Sequence, residues 1–221
     1  MLKITIVYDN TVCKEGLKPD WGFAAIVDID EHRILFDAGA DGHILLNNMK
    51  VCGVDPKSVD TVFISHHHFD HTGGLAAFIH ENPEVEVYVP TSLRGLRRAK
   101  AIHHISEARE IFKNVYSSGE LKNIEQSMFI ETPQGLVVIA GCSHPGVDAI
   151  LEKARKYGQI YFLFGGFHGF RDFNLLKDID FVCPTHCTQQ IKKIVEIYPE
   201  KYIKGGAGRE ISLPIKQERE L

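Results

Sequence analysis

Apolar runs rich in β-branched and aromatic residues recur along this chain: KITIVY, GFAAIVDI, RILFDAG and TVFISH in its first third, then VEVYVP, SMFIET, GLVVIAG, IYFLFGG and DFVCPTH. Their length and composition predict strands. Between them the apolar spacing changes from two to three and four. Residues 43–51 predict a short helix stopped by Gly53, and GLAAFIHENP from Gly74 predicts another ending before Pro83. GVDAILEKARKYG puts Val147, Ile150, Leu151 and the neighbourhood of Ala154 on one stripe, with Gly158 as its C-cap. QIKKIVEIYP puts Ile191, Ile194, Val195 and Tyr198 on one face before Pro199. The glycine-rich KGGAGRE at 204–210 lacks the spacing and following helix of a phosphate loop and reads as a turn or bulge.

Strands alternating with helices predict an α/β fold, and one unit occurs twice. TVFIS runs into histidines and the helix opening GGLAAF; GLVVIAG runs into CSHPG and the helix VDAILEKA. Two such halves in a single domain over residues 1–221 bring both strand ends to one edge, the place where ligands sit in α/β sheets.

Composition narrows the partners. A chain of 221 residues that is 44% hydrophobic can bury a sizeable core, and a formal charge of −4 with interspersed signs offers no stripe for nucleic acid. The local exception is RGLRRAK, with Arg94, Arg97, Arg98 and Lys100, expected as a solvated helix face or as a clamp for substrate phosphates. No apolar run approaches the roughly 20 residues of a membrane span, and MLKITIVYDN lacks the features of a signal peptide, so a cytoplasmic protein is expected. Five scattered cysteines, an odd number, are expected as reduced thiols; Cys183 and Cys187 beside His186 read as small core residues, and His103 and His104 as a surface or lid pair.

The densest chemistry is SHHHFDHTGG at 65–74. In an extended strand end, residues two apart point the same way, so His66 and His68 converge, while the turn after Phe69 aims Asp70 and His71 at a second point close by. Imidazole with a carboxylate suits a divalent transition metal that keeps a water-bearing position. Without a metal, so many imidazoles together would repel one another on protonation.

SHHHFDHTGGL resembles the H-x-H-x-D-H motif of the metallo-β-lactamase superfamily. ILFDAG resembles that superfamily's earlier strand, whose aspartate, here Asp37, supports the metal loop from beneath; AGCSHPG and CPTHCT resemble the segments carrying its later histidines, here His144 and His186. The resemblance implies a four-layer αββα sandwich. It also implies one metal on His66, His68 and His144, and a second on Asp70, His71 and His186. Zinc is expected first, with iron or manganese as alternatives. Many relatives place a metal-bridging aspartate at the end of a strand like IYFLFGG; this chain reads GGFHG there, and His168, 24 residues after His144 and 18 before His186, takes the slot by order. A neutral imidazole cannot bridge as a carboxylate does, so the second ion is expected to be held more weakly. Asp172, four residues on, reads as a turn residue.

WGFAAIV, GCSHPG, GGFH and PTHCT together resemble a narrower subgroup of metal-dependent hydrolases that includes, in methanogens, a synthase of methanopterin biosynthesis. The expectation is a hydrolase acting on a small phosphorylated or ester substrate, with Asp70 orienting water and accepting its proton and His168 against the substrate or the second metal. The alternatives are a pterin-transferring synthase that releases pyrophosphate, and a sensor of metal or ligand without turnover.

Overall fold

The structure, a computed structural model, describes residues 2–213. Six strands come first: β1 (Leu2–Tyr8), β2 (Ala24–Ile29), β3 (His32–Phe36), β4 (Thr61–Phe63), β5 (Glu86–Pro90) and β6 (Ala101–Ile105). They are followed by β7 (Glu107–Phe112), β8 (Val115–Gly119), β9 (Met128–Thr132), β10 (Gly135–Ala140), β11 (Ile160–Gly166), β12 (Phe181–Thr185) and β13 (Glu210–Ser212). One sheet has seven strands in the order β13-β1-β2-β3-β4-β5-β6, and the other has six in the order β12-β11-β10-β9-β8-β7. Each sheet combines an antiparallel part with a parallel part, β3 to β6 in the first and β10 to β12 in the second.

Both faces of the central strands are buried, which is why their sequences are apolar almost without a break. Val27, Phe36 and Phe63 of the first sheet meet Val137, Ile139, Phe162 and Phe164 of the second in a core between the sheets. The opposite faces turn outward onto helices. Ile26, Leu35 and Val62 pack under Leu45 and Met49 of α1 (Gly42–Val51). After the one-turn α2 (Phe69–Thr72), α3 (Leu75–Glu81) adds Leu75 and Phe78 to that layer. On the other side Val138, Leu163 and Val182 pack under Ile150 and Leu151 of α4 (Val147–Ala154) and Ile194 of α5 (Ile191–Ile197). The result is the expected αββα sandwich. No helix among the described residues is long and apolar enough to cross a membrane.

Local details depart from the sequence reading. Helix α1 begins at Gly42 because the Asp41 carboxylate accepts the N–H groups of His43 and Ile44 at 2.7 and 3.0 Å. Helix α4 does not run to Gly158. It stops at Ala154, because Lys156 and Tyr157 donate back to Lys153 and Ala154 and close the last turn early. RGLRRAK is not a helix face, since Gly95 and Arg98 both adopt positive φ, 84° and 72°. His103 and His104 lie on β6 at the sheet edge, with His103 stacked on Tyr88, 4.4 Å between ring centroids.

Candidate metal centre

The loops after β4, β10 and β12 meet at one edge of the two sheets, and they carry the histidines. His66 and His68 leave the end of β4 with ring centroids 4.6 Å apart, and the His144 ring lies 4.8 and 4.6 Å from theirs. One ring nitrogen from each falls within 4.8 Å of the others. His66 is fully buried, and its Nε2, like that of His144, is a buried polar atom without a hydrogen-bond partner. Such orphaned atoms are uncommon in a folded interior, and three converging imidazoles are the donor set a divalent transition metal takes.

Asp70, His71 and His186 form an adjoining group. Asp70 Oδ2 is 3.1 Å from His186 Nε2 and 3.9 Å from His71 Nε2. Helix α2 is the reason two sequence neighbours, Asp70 and His71, both reach this point. That helix fits only because Gly73 has no side chain; a Cβ there would lie 2.1 Å from the Ala40 carbonyl oxygen.

The network beneath fixes which nitrogen each ring presents. Asp37, fully buried, accepts the Ser65 N–H through Oδ1 at 2.7 Å, and its Oδ2 meets Ser65 Oγ and His71 Nδ1 at 2.7 Å each. Ser65 Oγ in turn lies 2.9 Å from His66 Nδ1. With the serine proton directed to the carboxylate, Ser65 accepts from His66 Nδ1–H, so one carboxylate holds both rings with Nε2 facing the centre. His186 is oriented by Asn10, whose Oδ1 is 3.0 Å from its Nδ1 and whose Nδ2 donates to its carbonyl at 2.9 Å.

Electrostatics prepare the rings differently. Burial, then the neighbouring imidazoles, pushes His66 far down and His144 to about 4, so both are neutral with free lone pairs. Burial also lowers His186. For His71 burial, which lowers its pKa, is outweighed by the Asp37 carboxylate, which raises it. Asp70 is raised by burial but lowered more by its hydrogen bond to His186 and by His71, and is held ionised.

Two residues without any sequence signal lock the loops together. Glu125, fully buried, accepts the N–H groups of Gly141, Cys142 and Ser143 at 3.0 Å each and that of His144 at 2.8 Å. Its neighbour Gln126 reaches the other loop: its N–H donates to the Ser65 carbonyl at 2.9 Å and its Nε2 to the Ile64 carbonyl at 2.8 Å. Asp37, Ser143, His168 and His186 all adopt positive φ, from 43° to 60°, a conformation that non-glycine residues keep only where the surroundings impose it.

The remaining sequence candidates lie apart from these two groups. His168 is exposed; its ring is 5.1 Å from that of His144, and it joins none of the donor groups found among the described residues. It lines, with His144, Ser143, Phe170, Arg171 and Asp172, a cavity of about 610 Å³ beside the centre. Arg94, Arg97, Arg98 and Lys100 are exposed between β5 and β6, and Lys100 Nζ is paired with Glu86 at 3.0 Å. All five cysteines are free thiols, and Cys142 and Cys187 lie buried at the floor of the site. The hydrogen bond with Cys187, and then burial, pushes the Cys142 thiol far above its usual range.

Residues 19–116 match the family model described as "Metallo-beta-lactamase superfamily". The chain is 26% identical, over 68% of its length and 72% of the relative's, to the 7,8-dihydropterin-6-methyl-4-(beta-D-ribofuranosyl)-aminobenzene-5'-phosphate synthase of Methanocaldococcus jannaschii. It is 25% identical to an uncharacterized protein of the same organism, over 95% of this chain and all of that one. Among solved structures it resembles Tm1679, a metal-dependent hydrolase of the β-lactamase superfamily, with a TM-score of 0.81 at 24% identity over 96% of this chain and 99% of that one.

Proposed function

We propose that this chain hydrolyses a small phosphorylated or ester substrate, because residues 19–116 match the metallo-β-lactamase superfamily, whose members are in general metal-dependent hydrolases. The observation carrying this reading is the pair of buried, unsatisfied Nε2 atoms of His66 and His144 beside a second donor group of Asp70, His71 and His186. His66, His68 and His144 would hold one divalent ion, with zinc the first expectation and iron or manganese next, and the second group would hold another. An ion so held would supply Lewis acidity and would lower the pKa of water beside it toward about 7.

The chain's own residues do the rest. Asp70, kept ionised by its histidine neighbours, accepts a hydrogen bond from water and so orients it; its depressed pKa suits it better to orientation than to holding a proton. The cavity beside His144 takes the body of the substrate. Arg171 on its wall pairs with an anionic group there, and His168, exposed to the same space, reaches the leaving group. The basic run at 94–100 takes no part in this reading, since it is open to solvent and Lys100 is engaged by Glu86.

The similarity to the dihydropterin synthase favours a second reading, transfer of a pterin with release of pyrophosphate. Phosphodiester and ester hydrolysis should be assayed on protein of measured metal content, with and without chelator and in His66→Ala. Loss of a partner behind a ligand typically costs 10–100-fold, so loss of this ligand should cost more than about 100-fold. Undiminished hydrolysis after metal removal would end the proposal; pyrophosphate released from a dihydropterin pyrophosphate only when the aminobenzene riboside phosphate is present would favour the second reading. Tight ligand binding with no turnover of any substrate would point to a sensor.

A further inference from the structure

The strand end that would be expected to offer an anionic group between the two donor sets offers none. β11 closes on Gly166, where a Cβ would lie 2.7 Å from Cys187 Sγ, and the following Phe167 is buried in the outer core. His168 is uncharged as a ligand and lies outside both sets. The neighbouring strand supplies sulfur instead. Cys142 Sγ is 3.1 Å from His71 Nε2, the nitrogen left free for an ion once Nδ1 is tied to Asp37. The same sulfur lies within 4.8 Å of a ring nitrogen of His66, from the first set, and of one of His186, from the second. Its position is fixed, because the Cys142 N–H is one of those gathered by Glu125. Donor atoms sharing an ion at about 2.0–2.3 Å stand roughly 3–4 Å apart, the separation seen from this sulfur to His71.

We infer that Cys142 is a metal ligand of this centre, its thiolate completing the Asp70, His71 and His186 site and facing the His66, His68 and His144 site across the gap where a carboxylate is lacking. This rests on the metal-dependent reading above. An anionic donor offsets the repulsion between two neighbouring dications, and thiolate suits zinc or iron. On ion uptake the S–H bond breaks and its proton passes to solvent, the S–metal bond forms, and one water leaves the ion; no oxidation state changes. Cys187, grouped with His186 and Cys142 but with none of the first set, is the neighbour rather than the ligand.

Cobalt(II) reports thiolate ligation through a near-ultraviolet charge-transfer absorption that imidazole and carboxylate do not give. The whole chain, stripped of metal, should be titrated with cobalt(II) while absorbance, bound cobalt and proton release are followed, in the native protein, Cys142→Ser and Cys187→Ser. The native protein and Cys187→Ser should develop the band; Cys142→Ser should lose it, release one proton fewer per chain, and bind its second cobalt at least tenfold more weakly. Bound cobalt without the band in the native protein overturns the inference and leaves the metal-dependent reading standing. So does a band lost in Cys187→Ser or kept in Cys142→Ser. Failure to bind cobalt at all overturns both. Should Cys142→Ser not fold, the native protein and Cys187→Ser still decide, since the band must be present in each.

Discussion

Replacing Asp37 by asparagine changes little in shape and much in proton placement. The carboxylate accepts at both oxygens: Ser65 N–H on Oδ1, and Ser65 Oγ and His71 Nδ1 on Oδ2, all at 2.7 Å. Asparagine keeps one acceptor oxygen for Ser65 N–H and turns an amide NH₂ toward the other two. His71 Nδ1 must then accept, which moves its proton to Nε2. Ser65 Oγ must also accept, and so donates its own proton to His66 Nδ1, which does the same to His66. Both rings then face the centre with N–H instead of a lone pair. The loss should be about 10–100-fold in ion affinity at each site, or roughly 1.4–2.7 kcal/mol. The metal-free protein also loses two charge-assisted hydrogen bonds at about 1.5–3 kcal/mol each, partly offset by removal of a buried charge, for a net fall of about 2–3 kcal/mol. Competitive metal titration, urea unfolding of the stripped protein and long-range ¹H–¹⁵N spectra of the imidazoles measure the three effects. Native affinity at both sites, or Nδ1–H retained on His66 and His71 in Asp37→Asn, would refute the reasoning.

Glu125→Gln leaves one acceptor oxygen for four amides and should lower stability by about 3 kcal/mol and weaken ion binding at the His144 site; unfolding and metal titration that both match the native protein would show that the carboxylate is dispensable. Burial raises Asp9 from 3.8 to about 6, so the fold favours its protonated form. That stabilisation is complete below pH 3.8 and is lost as pH rises through 6, and Asp9→Asn should therefore gain up to about 3 kcal/mol over the native protein at pH 7.5 and little at pH 4, as read from urea melts at the two values. Gly165→Ala, at φ 122° and with its Cβ 1.9 Å from the Ala140 oxygen, should cost more than about 3 kcal/mol, whereas Gly53→Ala, at φ 75° with open space around it, should cost about 1–2; thermal unfolding with equal losses would contradict the close-approach argument.

Nine strands were legible because their residues are buried on both faces and carry unbroken apolar runs. The strands that escaped the pattern, AIHHI, EAREIF, VYSSG and EIS, lie at or next to sheet edges, and three of them keep polar side chains in water. Their strand character comes from pairing with a neighbour, which periodicity cannot report. At the site, the crowded histidines were visible because consecutive residues carry them. Asn10, Ser65 and Glu125 were not, since each acts on a partner through the fold: Asn10 reaches His186 across 176 positions, and Glu125 reaches His144 across 19. Nothing in the sequence marks Cys142 as a ligand, and only its distance to His71 separates a ligand from a filler. The failed helix at RGLRRAK shows the converse, in which composition suited a helix but Gly95 and Arg98 took left-handed backbone.

The adjacent side chains of Glu125 and Gln126 give this centre a built-in ruler. One clasps the loop of His144, and the other clasps the loop of His66. The span between the two sheets' contributions is therefore set by a single peptide unit, not by the sum of many contacts across the sandwich. Drift in the outer helices or in the cavity wall can reshape the cavity without altering that span. Adding or deleting one residue between Ile124 and Ser127 would displace every donor of one loop relative to the other at once. The shape of the cavity wall and the spacing of the donors are thus mechanically uncoupled, and the chain can change the first while conserving the second.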